Sequence, residues 1–311
     1  MPILALDLGG TKLSSSLFDE QGKIVSRKVA LLEGRQGGAV GDLIVQTVRN
    51  YQQVNAAIHA IGVSVPGISN TKTQRVWAPN IPGWDDYPLH EQLTHASGIH
   101  VIVDNDRACS ILGECWQGHS KNCKDAIFLA VGTGIGAGIL SGGNMVRGAH
   151  DIAGAIGWMA LTKPYQNKYK PMGCFEYYAS GDGIARLAKE ILQSEENYSG
   201  QLQKEVTAHE VFAAHNNGDA VARKVIHECI TFWGMAAANL VSLFNPEKVI
   251  FGGGVFGPAA PFVPKIKDEA LLWAQPISIR QVDFESSALG SDAALYGAGY
   301  LAMNSKTIKH E

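Results

Sequence analysis

The pattern of apolar and polar positions divides the chain into strands and helices in turn. In the first segment, ILALDLGGTKLSSSLFDEQGKIVSRKVAL, apolar strand-like runs are broken by turn chemistry at DLGGTK and DEQGK. Val40, Leu43, Ile44, Val48, Tyr51 and Val54 recur at helical spacing, which predicts an amphipathic helix over 39–57. AIGVSVPG reads as a buried strand, followed by a long loop, VWAPNIPGWDDYP. HVIVDN is the next strand and leads into a helix from Asp106 to Trp116. AIFLAVG is a strand running into glycines, 175–193 and 208–244 are mostly helical, and Asn245-Pro246 is a natural stop. KVIFGGGV is a last buried strand, and SDAALYGAGYLAM a small-residue C-terminal helix. Strands alternating with helices predict an α/β fold.

A chain of 311 residues can bury a sizeable core and is long enough for two lobes. A net charge of −3 gives no basic footprint for nucleic acid or for an anionic membrane. No uncharged apolar run approaches membrane-spanning length, and MPILALDLGG has no basic stretch ahead of its apolar residues. The five cysteines form no C-x-x-C pair, so they read as reduced thiols in a cytoplasm. Glycine is the unusual item: its 35 residues gather in short clusters. Two of these echo each other, LALDLGGTK and FLAVGTGIGAG, each an apolar strand ending in a Gly-Thr turn. The echo suggests two similar lobes, each offering a turn to one ligand.

Glycines let successive backbone N–H groups converge on an anion, and a Thr adds a hydroxyl donor. In DLGGTK, Asp7 sits beside such a turn, where it could hold Mg²⁺ through waters while Thr11 and the amides face phosphate. The same residues would also make a plain tight hairpin. Gly132 to Ala137 match G-x-G-x-x-A, but that dinucleotide fingerprint needs a helix opening at the turn. Here AGIL and SGGN follow, which predicts a hairpin instead. No G-x-x-x-x-G-K-[ST] occurs, which excludes a P-loop. FGGGV ends a buried strand, where glycines would admit either a flat base or a closely packed helix.

VIVDNDRACSILGE places Asp104, Asn105 and Asp106 where a strand meets a helix, and ligands of open α/β sheets bind at such carboxyl ends. Asp106 is placed either to cap the helix or to accept a proton from a substrate hydroxyl attacking a phosphoryl group. Asn105 and Asn80 each offer a donor and an acceptor suited to a sugar hydroxyl.

These pieces, together and in order, resemble the ROK family (repressors, uncharacterised frames and sugar kinases) of the actin-like ATPase superfamily, over almost the whole chain. DLGGTK is similar to the family's first phosphate loop, GTGIGAG at 132–138 to its second, and FGGGV to its adenosine motif. VSVPG at 63–67, APNIPGW at 78–84 and DNDRACSILGE at 104–114 are similar to its sugar-side segments. The resemblance implies a two-lobed actin-like (ribonuclease H-like) α/β fold with an interlobe cleft that closes over the substrates. Residues 1–113 would form a smaller N-terminal lobe with the helix 291–305 packing back on it, and 114–290 a larger lobe. It implies ATP-dependent phosphorylation of a hexose or amino sugar, with Asp106 as base. Ser64, Pro66, Gly67, Asn80 and Asn105 would face the sugar, and Asp7 would lie near Mg²⁺. Gly9, Gly10, Thr11, Lys12, Gly132, Thr133 and Gly134 would hold phosphate, and Gly253 and Gly254 the adenosine. A homodimer is also implied.

The family's further signature reads approximately G-x-A-G-E-x-G-H and then C-x-C-G-x-x-G-C-x-E, its Glu and His binding sugar and its His and three Cys holding zinc. Here Ala155 stands at the Glu position, Trp158 at the His position, and Asp151 where Gly is common. The later segment keeps Gly173, Cys174 and Glu176, while Asn167 and Tyr169 fall roughly where the first two cysteines would be. A structural zinc takes four N or S ligands, so none is expected, and Cys174 becomes a small buried hydrophobe. The loop is then ordered by Tyr165, Tyr169, Pro164 and Pro171, or left mobile. Each lost charge-assisted hydrogen bond costs about 1.5–3 kcal/mol for a hydroxyl left facing it. Trp158 either lies against an apolar sugar face or plugs the pocket as core, and Asp151 and Glu176 are replacement acceptors. The glycine rhythm of 153–176 would be a wall passing close to the sugar. Two readings stay open, a kinase with an atypical acceptor site and a ROK-type sugar or nucleotide sensor. A repressor would need a helix-turn-helix ahead of the first strand, for which the sequence offers no room.

Overall fold

The computed structural model describes residues 2–54, 57–203 and 205–304. The chain divides into two compact units, the first taking it to Asn122 and adding 147–153 and the stretch from Asp292, the second holding 123–146 and 154–291.

The first unit opens with three antiparallel strands, β1 (Ile3–Leu8), β2 (Lys12–Phe18) and β3 (Ile24–Leu31). The helix α1 (Gly38–Val54) buries Val40, Ile44, Val48 and Tyr51 of the predicted face, whereas Leu43 is half-buried and Val54, at the helix end, is exposed. Of the expected span 39–57, residues 55 and 56 lie outside the described residues. β4 (Ala60–Val65) is followed by the small ribbon β5 (Ile68–Ser69) and β6 (Val76–Trp77), the latter inside the expected loop, and by α2 (Leu89–Ser97), to which the pattern assigned no element. β7 (His100–Asn105) then runs into α3 (Asp106–Gln117). The main sheet has the order β3-β2-β1-β4-β7, with β1, β4 and β7 parallel. α3 runs through residue 113 without a break, so the unit continues beyond that position.

In the second unit, β8 (Ala126–Val131) and β9 (Ile135–Ser141) form a hairpin extended by β10 (Asn144–Met145). The helices α4 (Cys174–Ala179), α5 (Gly181–Ser194), α6 (Ala208–Asn216) and α7 (Ala220–Phe244) follow. Asp219 caps α7 by accepting from Ala222 N–H at 2.9 Å, which breaks the expected 208–244 helix in two. β11 (Lys248–Gly252), α8 (Val263–Trp273) and β12 (Asp283–Ser286) complete a sheet ordered β10-β9-β8-β11-β12. The apolar stripe of α7 is core, with Trp233 fully buried and its Nε1 donating to Ala179 O at 3.0 Å.

The C-terminal helix α9 (Ala293–Met303) belongs to the first unit, and Ser305, the last residue of the expected span, lies outside the described residues. Its approach depends on three glycines. A Cβ on Gly297 would lie 1.7 Å from Cys109 O, one on Gly113 2.1 Å from Ala293 O, and one on Gly62 1.8 Å from Ala298 O. Backbone meets backbone here, so no side chain can swing away to make room. Gly297→Ala is therefore expected to destabilise the protein by about 1–3 kcal/mol, the cost of overpacking. An unchanged thermal midpoint would show that α9 can shift without loss.

Candidate active site

The parallel strands of the first unit bring three carboxylates to one edge of the sheet. Register pairs Asp7 with Ser64, and Ser64 with Asp104. Paired residues on neighbouring strands share a face, so these three form one row. The chain then enters α3, where the Asn105 side chain is the cap and accepts from Ala108 N–H at 2.9 Å. The capping role weighed for Asp106 thus belongs to its neighbour. Asp106 is the first helical residue, its side chain 47% exposed and its nearest cation Arg107, Nε at 3.9 Å. Desolvation raises its pKa, with the Arg107 charge opposing. Asp7 is also raised, to about 6, chiefly by burial and in part by the charge of Asp106. Asp104 is 2% exposed and receives both arms of the Arg147 guanidinium, at 2.8 and 2.6 Å.

Ser64 and Pro66 are buried, and Gly67 has φ 90° with Trp77 O 2.1 Å from where its Cβ would stand. That glycine is required by the turn into the β5–β6 ribbon. Asn80 is exposed on a turn braced by Ala78 N–H donating to Trp84 O at 2.8 Å. Trp84 is itself buried and stacked on Tyr87 with ring centroids 4.2 Å apart. Thr11 and Lys12 are exposed at the β1–β2 turn, which Gly9 N–H closes on Lys12 O at 2.9 Å. Asp151 is buried, and its carboxylate accepts from Thr71 N–H at 3.0 Å and from the Thr71 hydroxyl at 3.1 Å.

In the second unit the strand β9, not a helix, follows the turn at Gly132, Thr133 and Gly134, which removes the dinucleotide reading. Gly132 N–H donates to Gly134 O at 2.9 Å, and Gly132 O accepts from Gly181 N–H at 2.7 Å. On the other side Glu176, in the first turn of α4, accepts from Ile135 N–H at 2.7 Å. Burial raises the Glu176 pKa, against that hydrogen bond. Neither brace was visible in the sequence, because each joins residues more than 40 apart (Glu176 to Ile135 spans 41).

The glycines of the three turns are not alike. Gly252 and Gly253 are forced by the fold, since a Cβ would lie 2.1 Å from the Phe128 ring and 2.4 Å from Val131 O. Gly10, Gly132 and Gly254 have no atom within 4 Å of that position and no positive φ. Packing within the protein gives these three no reason to be glycine, whereas a ligand lying against the backbone does.

The chain matches the ROK family over residues 3–305. It belongs to the ROK family. It is 31% identical over 310 residues to a glucokinase of Halalkalibacterium halodurans, spanning 96% of this chain and 94% of that one. It is 30% identical to a beta-glucoside kinase of Listeria monocytogenes, spanning 96% of this chain and 97% of that one. A crystal structure of a ROK family glucokinase from Streptomyces griseus in complex with glucose and AMPPNP matches it with a TM-score of 0.80 at 27% identity, over 97% of this chain and 99% of that one.

The segment where this ROK chain departs from the family pattern packs on itself. Cβ atoms on Gly154, Gly157 and Gly173 would meet Ala137 O at 2.0 Å, Glu176 Oε2 at 2.9 Å and Gly157 O at 2.4 Å. Protein backbone and side chain already in place therefore account for the glycines at 154, 157 and 173. Trp158 is 58% exposed, so it does not plug a core. In the loop that follows, Tyr169 is buried with Cys174 and Tyr177, and its hydroxyl meets that of Tyr178 at 2.9 Å. Lys168 lies over the rings of Tyr169, Tyr177 and Tyr178 at 5.7, 4.7 and 5.1 Å. Tyr165 is exposed and touches Tyr169 by its edge. Among the described residues no three His, Cys, Asp or Glu side chains gather to hold a metal.

The raised pKa of Asp7 has a measurable sign. The native state binds this proton more tightly than the unfolded chain, so Asp7 lowers stability as pH rises from 3.8 to about 6, and by a constant amount above that. Asp7→Asn is expected to melt higher than the parent at pH 8, with the gap closing toward pH 4. A gap that does not vary with pH would show that Asp7 is not the group responsible.

Proposed function

We propose that this ROK protein is an ATP-dependent kinase acting on a hydroxyl of a hexose or amino sugar, with Asp106 as general base. The observation that carries the reading is the release of Asp106 from capping duty. Asn105 fills that role, leaving a half-exposed carboxylate of raised pKa at the carboxyl end of a parallel sheet. A raised pKa makes it a stronger base toward the attacking hydroxyl. The sugar kinases among its relatives support the same reaction.

In this reading the sugar hydroxyl gives its proton to Asp106 as it attacks the γ-phosphorus, and the bond to the β-phosphate oxygen breaks. Asn105 keeps one N–H of its amide for a sugar oxygen, and Asn80 offers a second polar contact; Ser64, Pro66 and Gly67 shape the backbone around them. Amides of Gly10, Thr11 and Lys12, and of Thr133 and Gly134, neutralise phosphate charge, while the Gly9 and Gly132 amides close their own turns. Gly253 and Gly254 admit the adenosine. A lone carboxylate beside a glycine turn fits Mg²⁺, which keeps most of its waters and takes one or two protein oxygens. When bound, that ion would offset charge on the phosphates, with Asp7 as its protein-side anchor.

The acceptor side is atypical. Trp158 presents an exposed ring suited to an apolar sugar face, and Glu176 offers its second oxygen, Oε1. Asp151 is better read as fastening its own segment to Thr71 than as a sugar acceptor. The replacement of Glu and His by Ala155 and Trp158 also favours a second reading, a sensor that binds sugar or nucleotide without turnover. We place the protein in the cytoplasm as a homodimer, without nucleic-acid or membrane partners. No described helix is long and apolar enough to cross a membrane.

A panel of hexoses, amino sugars and β-glucosides should contain one that drives ADP release from ATP and Mg²⁺. Asp106→Asn should lower that rate about 10²–10⁴-fold, the usual worth of a general base. Nucleotide binding with no stimulation by any sugar would favour the sensor. Metal analysis of purified protein should find zinc far below one equivalent. Stoichiometric zinc would mean that the tyrosine-lined loop is not what orders this region.

A further inference from the structure

Arg147 belongs to none of the glycine turns or Asn-Asp motifs, yet it makes a two-armed contact with a buried carboxylate of the first unit. It begins the segment 147–153, which lies in sequence between two stretches of the second unit but belongs to the first. Ala153 N–H closes the segment on Arg147 O at 3.0 Å. Two contacts then fasten it, Asp151 to Thr71 and the Arg147 fork to Asp104.

Asp104 has almost no access to water, so its charge depends on protein partners. The fork supplies one N–H to each oxygen, at 2.8 and 2.6 Å. Oδ1 also accepts from Asn105 N–H at 2.8 Å and from Asn105 Nδ2 at 3.3 Å. Asn105 caps α3, and Asp106 is the next residue. Resting on the reading of Asp106 as base, we infer that Arg147 is a positioning residue that aims the Asp106 carboxylate through Asp104 and Asn105. A planar fork can hold both oxygens of Asp104 at once, which a lysine ammonium cannot. Without it, Asp104 is a buried charge left unpaired next to Asp106.

The test compares full-length Arg147→Lys, Arg147→Met, Asp104→Asn and the Arg147→Met/Asp104→Asn double variant with the parent. Amide hydrogen exchange is followed in peptides covering 104–112 and 126–141, and turnover with the best sugar of the panel. Arg147→Met should speed exchange in 104–112 about tenfold or more while 126–141 keeps its protection, a local loosening and not a global one. It should lower kcat about 100-fold with KM for ATP within about threefold, since orientation and not nucleotide binding is lost. Arg147→Lys should fall between, and the double variant should lose no more kcat than the worse single, because the two side chains act as one unit. Unchanged exchange in 104–112, equal loosening of both peptides, or additive losses of kcat would overturn the inference. If Arg147→Met does not fold, the Lys and double variants still decide it. Asp106→Asn separates the two readings. Should it retain full turnover while Arg147→Met loosens 104–112, the base assignment fails and the positioning of α3 stands.

Discussion

The gathering of Asp7, Asp104 and Asp106 at the carboxyl end of one sheet is the constraint to which their surroundings answer. The parallel register of β1, β4 and β7 sets two of these carboxylates in one row, and the turn into α3 adds the third. Like charges in a poorly hydrated place cannot all ionise without compensation. Each receives a different treatment. Asp104 has a complete guanidinium fork, Asp106 has partial exposure and Arg107 at 3.9 Å, and Asp7 has only Ser64 and Lys12 against its desolvation, so its pKa climbs to about 6. Different surroundings are how one site divides anchor, base and cation ligand among similar groups. The proposed roles follow that grading.

The same logic of compensation sorts the glycines. Gly62, Gly113 and Gly297 exist so that α9 can lie backbone to backbone on α3 and β4. Gly253 exists because β8 passes 2.4 Å from where its Cβ would stand. Such positions would be glycine whatever the protein bound. Gly10, Gly132 and Gly254 answer to nothing inside the molecule, and they fall one in each of the three turns that phosphate and nucleotide chemistry would need. Counting glycines in a motif mixes the two classes, and only the space around each one separates them.

Much of this was legible in the sequence, because the signals were local. DLGGTK gave its turn, HVIVDN ran into the α3 helix, and the AGIL that follows GTGIG announced a strand before the β9 hairpin was seen. What escaped was long-range or weakly patterned. β12 is DFES, a half-buried edge strand with no apolar alternation to mark it. Arg147 lies 43 residues from Asp104, and nothing in VRGAHD distinguishes it from a solvated arginine. The rhythm of 153–176 did report close backbone approach, but a sequence cannot say whether the neighbour is ligand or protein. Here it is protein, at Ala137, Glu176 and Gly157.

The tyrosine cluster packs this segment with side chains of its own. A structural zinc concentrates its stabilisation in four bonds, about 10–16 kcal/mol in zinc-finger peptides. Around Tyr169 the same task is spread over ring contacts with Tyr177 at 5.6 Å and Tyr178 at 5.8 Å, and over Lys168 above the rings. At about 0.5–1.5 kcal/mol per aromatic pair and similar values for each cation–π contact, the sum is smaller and less directional. Yet it reaches the turn at Gly132. Tyr177 and Cys174 flank Glu176 on α4, so packing the cluster fixes that short helix. Glu176 in turn holds Ile135 N–H at 2.7 Å, where the turn gives way to β9. A weaker hold on the loop therefore becomes a weaker hold on the turn, which makes the aromatic packing part of the geometry of the proposed phosphate turn and not a bystander to it.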